Sequence, residues 1–96
     1  MYDDGIKKVR ISGGPISFYE EYTLTTLFTE RVFGGACNAV TISNDSTTDT
    51  VTLSWDGATV ISTIKPKEVQ EIFVSTKTSV YVKGTAGGDT IRIWGT

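Results

Sequence analysis

The sequence predicts an all-β fold, and three features of the chain lead to this prediction. From residue 36 onward, short runs that alternate apolar and polar residues recur about every ten residues, which is typical of sandwiches and barrels. Turn-forming residues separate these runs, and threonine, whose branched side chain suits a pleated strand, is abundant. We expect an antiparallel β-sandwich or jelly-roll-like fold of about six to eight short strands, with a small barrel as the alternative.

The 96 residues are enough for one domain, and the N-terminal third has the weakest pattern. We assign residues 1–15 to an extended arm that ends at Gly13-Gly14-Pro15, and residues 16–96 to a single β domain. Residues 16–22 form an imperfect strand pattern. Residues 23–33 have some apolar residues at helical spacing, but their four threonines disfavour a helix, so we predict strand followed by loop.

The middle of the chain has the clearest local pattern. Residues 36–43 are predicted as a strand, and residues 44–49 as a turn. Two alternating runs, 51–55 and 58–64, then flank Asp56-Gly57, which favours a type I′ hairpin because both central residues of that turn have positive φ. The turn predicts three cross-strand pairs on the apolar face, namely Trp55 with Ala58, Leu53 with Val60, and Val51 with Ser62.

The C-terminal part predicts three further strands. Residues 65–68 contain a proline and form a turn, and residues 69–74 and 79–84 alternate as strands. After the glycine-rich loop 85–90, residues 91–94 form the last strand. We expect residues 79–83 to pair with 90–94 as a hairpin, with four apolar side chains pointing inward: Val80, Val82, Ile91 and Ile93.

That hairpin predicts a candidate binding surface on its other face. Aromatic rings beside cations can stack on sugars, on bases or on the side chains of another protein. Ile61 is out of phase with the core face of its own strand, so we expect it to be exposed and to contact another subunit. The alternative is that a second sheet or the N-terminal segment covers this face. The predicted partner-binding residues are Tyr81, Lys83, Arg92, Trp94 and Ile61.

The chain lacks the residue combinations of common catalytic sites. There is no histidine, which removes Ser–His and Cys–His nucleophile pairs, and Cys37 is the only cysteine, which rules out an internal disulfide and a cysteine zinc site. No phosphate-binding glycine motif is present. Paired carboxylates occur, but a sheet this small rarely encloses the cleft that they would need. We therefore predict no enzyme activity, no cofactor and no catalytic or metal-binding residue.

Charge and composition limit the possible partners. The net charge of −2 and the scattered basic residues argue against nucleic-acid binding, and no apolar run predicts a membrane span or a signal peptide. We expect a protein made in the cytoplasm. Asn44, Asp45 and Asp49 could offer oxygen ligands to calcium, but their order favours turns stabilised by their own side chains, and the Asn44 glycosylation sequon carries little weight without a signal peptide.

From Thr23 onward, the chain resembles a recurring type of small bacteriophage structural protein. The resemblance follows four parts in order: YTLTTLFTERVFGGAC, NAVTISNDSTTDTVTLSWDG, the turn IKPKEVQEI, and TSVYVKGTAGGDTIRIWG. Lys67 departs from the pattern, since such proteins often have glycine before the acidic residue of this turn, and that leaves the type of turn open.

The resemblance implies a virion subunit, such as a head decoration or cement protein, a neck component, or a fibre or tail module. Its partners would be other capsid, tail or neck proteins and further copies of itself, with a symmetric trimer or larger assembly as the working arrangement, and its location would be the virion. A carbohydrate-binding or lectin-like module is the alternative, with Trp55, Tyr81 and Trp94 as stacking platforms.

Overall fold

The computed structural model describes residues 18–96, with the side chains of residues 74 and 75 excepted. The predicted arm therefore lies outside the described residues. Within them the fold is all-β and antiparallel, as predicted, with six strands in a single sheet of order β1-β6-β2-β5-β3-β4. The strands are β1 (Phe18–Thr23), β2 (Thr29–Asn44), β3 (Val51–Ser54), β4 (Val60–Ile64), β5 (Val69–Lys83) and β6 (Thr90–Gly95).

Two long strands, β2 and β5, pass through both halves of the sheet. Residues 39–43 of β2 pair with 69–73 of β5, whereas residues 29–32 pair with 79–82, and register shifts between Val32 and Ala39 separate the two ladders. We call β1, β6 and the ladder of residues 39–43 with 69–73 the β6 half. We call β3, β4 and the ladder of residues 29–32 with 79–82 the β3 half. Gly34 and Thr76 have positive φ in the region between the ladders, which is the conformation expected where a strand is irregular.

One core lies between the two halves, and both contribute apolar side chains to it. The prediction that four apolar side chains point inward is confirmed, since all of them are fully buried: Val80, Val82, Ile91 and Ile93. Full burial of one aliphatic side chain is worth roughly 1.5–3 kcal/mol, so this shared core stabilises the bend that brings the halves together. The buried members are Leu24, Phe33, Cys37, Val40, Ile42, Val51, Leu53, Ile64, Val80, Val82, Ile91 and Ile93.

The predicted pairing of 79–83 with 90–94 is wrong. Within the described sheet, β5 pairs with β2 and β3, and β6 pairs with β1 and β2. The loop between them crosses from one half of the sheet to the other instead of turning back. Its backbone is held by the 24–25 segment, because Gly84 N donates to the Thr25 carbonyl and Gly88 N donates to the Leu24 carbonyl, each at 2.8 Å.

The predicted type I′ turn at Asp56-Gly57 is also wrong. Gly57 has a φ of +83°, but Asp56 is not among the described residues with positive φ, and the connection spans residues 55–59. Consequently Val51 pairs with Ile64 and Leu53 with Ser62, two positions from the predicted register. The inward direction of Leu53 and Val51 was predicted correctly. The prediction that Val60 shares their apolar face is wrong, because a register shift after Leu53 pairs Val60 with Ser54 and leaves it 54% exposed.

A network of buried polar side chains, which we call the clasp, ties several loops together at one end of the molecule. Asn44 Nδ2 donates to the carbonyl oxygens of Asp49 and Ile64, at 2.8 and 2.9 Å. Asp49 accepts hydrogen bonds from the backbone N–H groups of Ala86 at 2.9 Å and Gly87 at 3.0 Å. The clasp consists of Asn44, Ser46 and Asp49 together with loop 84–89.

Candidate interaction surface

The predicted partner-binding residues do not form one surface. Tyr81 and Lys83 lie at the end of β5 in the β3 half, whereas Arg92 and Trp94 lie on β6 in the β6 half. The sequence pattern had placed them together because it joined β5 and β6 in a hairpin. Since both strands pair instead with different segments of β2, the sets Tyr81–Lys83 and Arg92–Trp94 have separate surroundings.

Trp94 is fully buried, so its indole ring is not available as an exposed platform. Tyr19 packs against it with ring centroids 5.5 Å apart, and the guanidinium of Arg92 lies 5.1 Å from its ring centroid. The indole Nε1 and the hydroxyl of Thr41, its cross-strand neighbour, are both buried without a hydrogen-bond partner. The predicted alternative for Trp94, that this side chain is covered, agrees with its burial.

Arg92 is engaged by an acidic side chain of the same chain. Its Nε donates to Asp45 Oδ2 at 2.7 Å, and its Nη2 donates to Asp45 Oδ1 at 3.0 Å. Partial burial opposes the charged form of Asp45, but the hydrogen bonds from Arg92 and Ser43 outweigh it and lower the pKa of this carboxyl. The same hydrogen bond raises the pKa of Arg92. This pair fixes β6 against the loop that follows β2.

Tyr81 and Lys83 are half-buried and also contact neighbouring residues of this chain. A Cβ added to Gly57 would lie 3.1 Å from the ring of Tyr81, so the 55–59 connection packs closely on that ring. The ammonium of Lys83 lies 4.6 Å from the centroid of Phe28. Trp55, the third residue of the lectin alternative, packs against the core and has the Lys77 ammonium 5.4 Å from its ring.

The Asp56-Gly57 connection is held by its own polar groups. Asp56 Oδ1 accepts hydrogen bonds from the backbone N–H groups of Thr59 and Ala58, both at 2.8 Å, and from the Ser54 hydroxyl at 2.9 Å. These bonds, with Thr59 contributing most, lower the pKa of Asp56 well below its usual range. The turn is therefore a structural element, as predicted for these two residues, but with a different geometry.

Ile61 is exposed on β4, as its phase predicted, and other large apolar side chains of β4 and of the first part of β5 are exposed as well. β4 and residues 69–73 of β5 follow each other along the chain, yet no ladder joins them in the described sheet. We call these two segments the seam. Large apolar side chains remain exposed along it: Val60, Ile61, Val69 and Phe73.

The sequence interpretation missed Val69 and Phe73 as surface residues. It identified residues 69–74 as a strand, but the run VQEIFV has apolar residues on both faces, so alternation could not decide which face is buried. The structure buries Ile72 in part against the core and exposes Phe73 beside it. The clasp role of Asp49 was missed as well, because its partners lie more than 35 residues further along the chain.

The described residues contain no cluster of three or more His, Cys, Asp or Glu side chains that could hold a metal ion. Asn44 and Asp49 are committed to the clasp, and Ser46 N donates to Asn44 Oδ1 at 3.1 Å, which is the turn geometry that the sequence favoured over a calcium loop. Residues 18–96 form no helix that is long and apolar enough to cross a membrane.

Comparisons of the chain with protein-family models, with curated proteins and with solved structures found no match.

Proposed function

We propose that the protein is a non-enzymatic bacteriophage structural protein, a capsid decoration or cement protein or a related virion component, that acts through protein–protein contacts. The observation that carries this proposal is the seam, where two consecutive strands expose large apolar side chains. Contiguous apolar patches on a folded domain commonly mark interaction sites. The strand-and-turn resemblance from Thr23 onward indicates the virion as the place where such contacts are made.

Backbone hydrogen bonds to the turn between the two strands of the seam support a binding role. Both of its strands end near the clasp, where Asn44 N donates to the Glu68 carbonyl at 2.8 Å and Lys67 N donates to the Asn44 carbonyl at 2.8 Å. These two bonds fix the turn that joins the strands. A surface that is ordered before it binds loses less conformational entropy on association, which favours a stable contact from a modest area.

The composition of virus particles tests this proposal. A phage lysate from cells that carry the gene is separated on a caesium chloride gradient, and each fraction is analysed by quantitative mass spectrometry. We expect the chain to sediment with the major capsid protein at a constant molar ratio across the particle peak. Particles from a phage with this gene deleted provide the control. Recovery of the chain only in the soluble fractions would contradict the proposal.

A further inference from the structure

We propose that Asp56-Gly57 is a latent modification site: Asp56 isomerises to isoaspartate when the turn opens, and the hydrogen bonds of the folded turn suppress this reaction. The inference goes beyond the proposed function and does not depend on it. Three observations carry it: the dipeptide lies in an exposed connection, the carboxylate of Asp56 is held by several donors, and the N–H of Gly57 is itself hydrogen-bonded.

The reaction needs only the two residues of the dipeptide and water. The backbone nitrogen of Gly57 attacks the side-chain carboxyl carbon of Asp56, a C–N bond forms, and the amide proton and the carboxyl hydroxyl leave together as water. Water then opens the resulting succinimide ring at the original backbone carbonyl, so that the chain continues through the side chain. Glycine in the second position favours the attack, because it has no Cβ and permits many backbone conformations.

The dipeptide lies in the connection 55–59 between β3 and β4, where burial offers it little protection. Asp56 and its neighbour Ala58 are exposed, and Gly57 is half-buried. Water for the hydrolysis step therefore reaches the reacting atoms. Whether Asp56 reacts in the folded chain is decided by the hydrogen bonds that hold the carboxyl group and the attacking nitrogen.

The carboxylate of Asp56 is held in one orientation. Its Oδ1 accepts hydrogen bonds from the backbone N–H groups of Thr59 and Ala58, both at 2.8 Å, and from the Ser54 hydroxyl at 2.9 Å. Movement of the carboxyl group onto the Gly57 nitrogen gives up bonds to a charged acceptor, which are stronger than bonds between neutral groups. The same bonds, with Thr59 contributing most, lower the pKa of Asp56. The neutral carboxyl, which is the form that can lose its hydroxyl, is therefore rarer in the folded turn than in an unfolded chain.

The attacking nitrogen is restrained as well. Gly57 N donates to Ser54 Oγ at 3.0 Å, and this N–H is the group that must lose its proton as the C–N bond forms. Ser54 is fully buried on β3, so packing holds its hydroxyl in place. The same hydroxyl donates to Asp56 Oδ1, and it therefore bonds to both reacting groups. Ser54 is the residue on which both restraints depend.

The first experiment compares the wild-type chain, folded in buffer and unfolded in guanidinium chloride, over several weeks at neutral pH. Isoaspartate at Asp56 is quantified in proteolytic peptides by mass spectrometry with electron-transfer fragmentation, which distinguishes the two isomers. We expect the reaction at Asp56 to be at least about tenfold slower in the folded chain. In the unfolded chain, Asp4-Gly5, an identical dipeptide outside the described residues, is the control and should react at a similar rate. Equal rates at Asp56 in the folded and unfolded chains would overturn the proposal.

The second experiment removes the Ser54 hydroxyl. We expect Ser54→Ala to raise the rate at Asp56 in the folded chain at least about fivefold. Ser54→Thr keeps a hydroxyl at this position and should retain the slow rate, which separates loss of the bonds from loss of packing. Thr63→Ala removes a hydroxyl from an exposed position of β4 and, as the matched control, should leave the rate unchanged. A Ser54→Ala variant that reacts as slowly as the wild type, or a Ser54→Thr variant that reacts as fast as Ser54→Ala, contradicts the role of Ser54.

Urea midpoints of the variants are measured beside the rates, because an unfolded variant would also react quickly. If Ser54→Ala does not fold, its rate should match that of the unfolded wild type, and the comparison of folded with unfolded wild type decides the proposal. The composition of virus particles has no bearing on these results, since the reaction involves this chain and water alone.

Discussion

The clasp and the seam use their residues in opposite ways. At the clasp, the polar side chains of Asn44, Ser46 and Asp49 are buried, and each is hydrogen-bonded within the chain. At the seam, apolar side chains such as Phe73 and Val69 are exposed on regular strands. Burial of polar groups is tolerated only when they are paired, whereas exposed apolar surface gains free energy when a partner covers it.

This contrast separates the residues that hold the fold from those that can serve a partner. Removal of a clasp side chain leaves loop backbone groups without their partners, so its effect should be on the free energy of unfolding. Substitution in the seam removes surface that water already contacts, so its effect should be on association. Four predictions follow in order of expected size; three test this division, and the one at Gly57 tests a structural turn outside both regions.

Asp49→Ala should cause the largest loss of stability. It removes the acceptor for the N–H groups of Ala86 and Gly87 and for the Thr85 hydroxyl, and it leaves a buried space in the clasp. We expect a loss of about 2–3 kcal/mol in the free energy of unfolding, measured by urea denaturation. Thr47→Ala, at an exposed position of the preceding loop, is the control and should change it by less than about 0.5 kcal/mol.

Gly57→Val should have the next largest effect. Gly57 has a φ of +83°, which a β-branched residue adopts only with strain, and an added Cβ would lie 3.1 Å from the Tyr81 ring. We expect a loss of about 2 kcal/mol. Ala58→Val tests the same change of side chain at an exposed neighbour without positive φ. Equal effects of the two variants would mean that the backbone conformation of Gly57 is not the cause.

Acid should weaken the clasp end through Asp45 and Asp89. Hydrogen bonds from Ser46 and then Thr48 lower the pKa of Asp89, and the Arg92 pair lowers that of Asp45. Because both folded-state pKa values lie below the ordinary value of 3.8, the stabilisation is complete above that pH and is lost as the pH falls toward the lowered pKa values.

Urea midpoints measured from pH 6 to pH 2 check this dependence. We expect a decrease that begins near pH 4, at the unfolded-state pKa of aspartate, and that is smaller in an Asp45→Asn, Asp89→Asn double variant. The same slope in the wild type and the double variant would show that other groups cause the acid sensitivity.

Phe73→Ser should have the smallest effect on the fold. The side chain is 68% exposed, so we expect a change below about 0.5 kcal/mol when unfolding is measured at low micromolar concentration. Leu27→Ser, a similarly exposed site outside the seam, should match it. A loss of several kcal/mol for Phe73→Ser would mean that the seam belongs to the core, and the contrast with the clasp would then fail.

Much of the fold could be predicted from local pattern. The alternation around Val80, Val82, Ile91 and Ile93 indicated their inward direction correctly, because alternation depends only on the geometry of a single strand. The strands themselves were predicted for the same reason. β5 was predicted as two strands, 69–74 and 79–84, because residues 75–78 lack an apolar pattern, whereas the structure continues as one strand through them.

Pairing between strands could not be predicted in the same way. The loop 84–89 looked like a hairpin connection, but its path depends on Asp49 and on residues 24–25, which are distant in sequence. For that reason Tyr81 and Lys83 do not lie beside Arg92 and Trp94 on one hairpin, as the sequence predicted. Ile61 was identified as exposed from its phase within β4, but the same phase placed Val60 inward, and the register shift after Leu53 exposes Val60 as well.

The sequence by itself determined that this chain is all-β, where most of its strands run, and the inward direction of Val51, Leu53 and the four residues Val80, Val82, Ile91 and Ile93. These properties follow from the two-residue period of a strand and from turn chemistry, which act over a few neighbouring residues. The tertiary structure alone decided the strand order, the burial of Trp94, the clasp around Asp49 and the exposure of Phe73. Each of these depends on contacts between residues distant in sequence, and local periodicity does not specify which segments will meet.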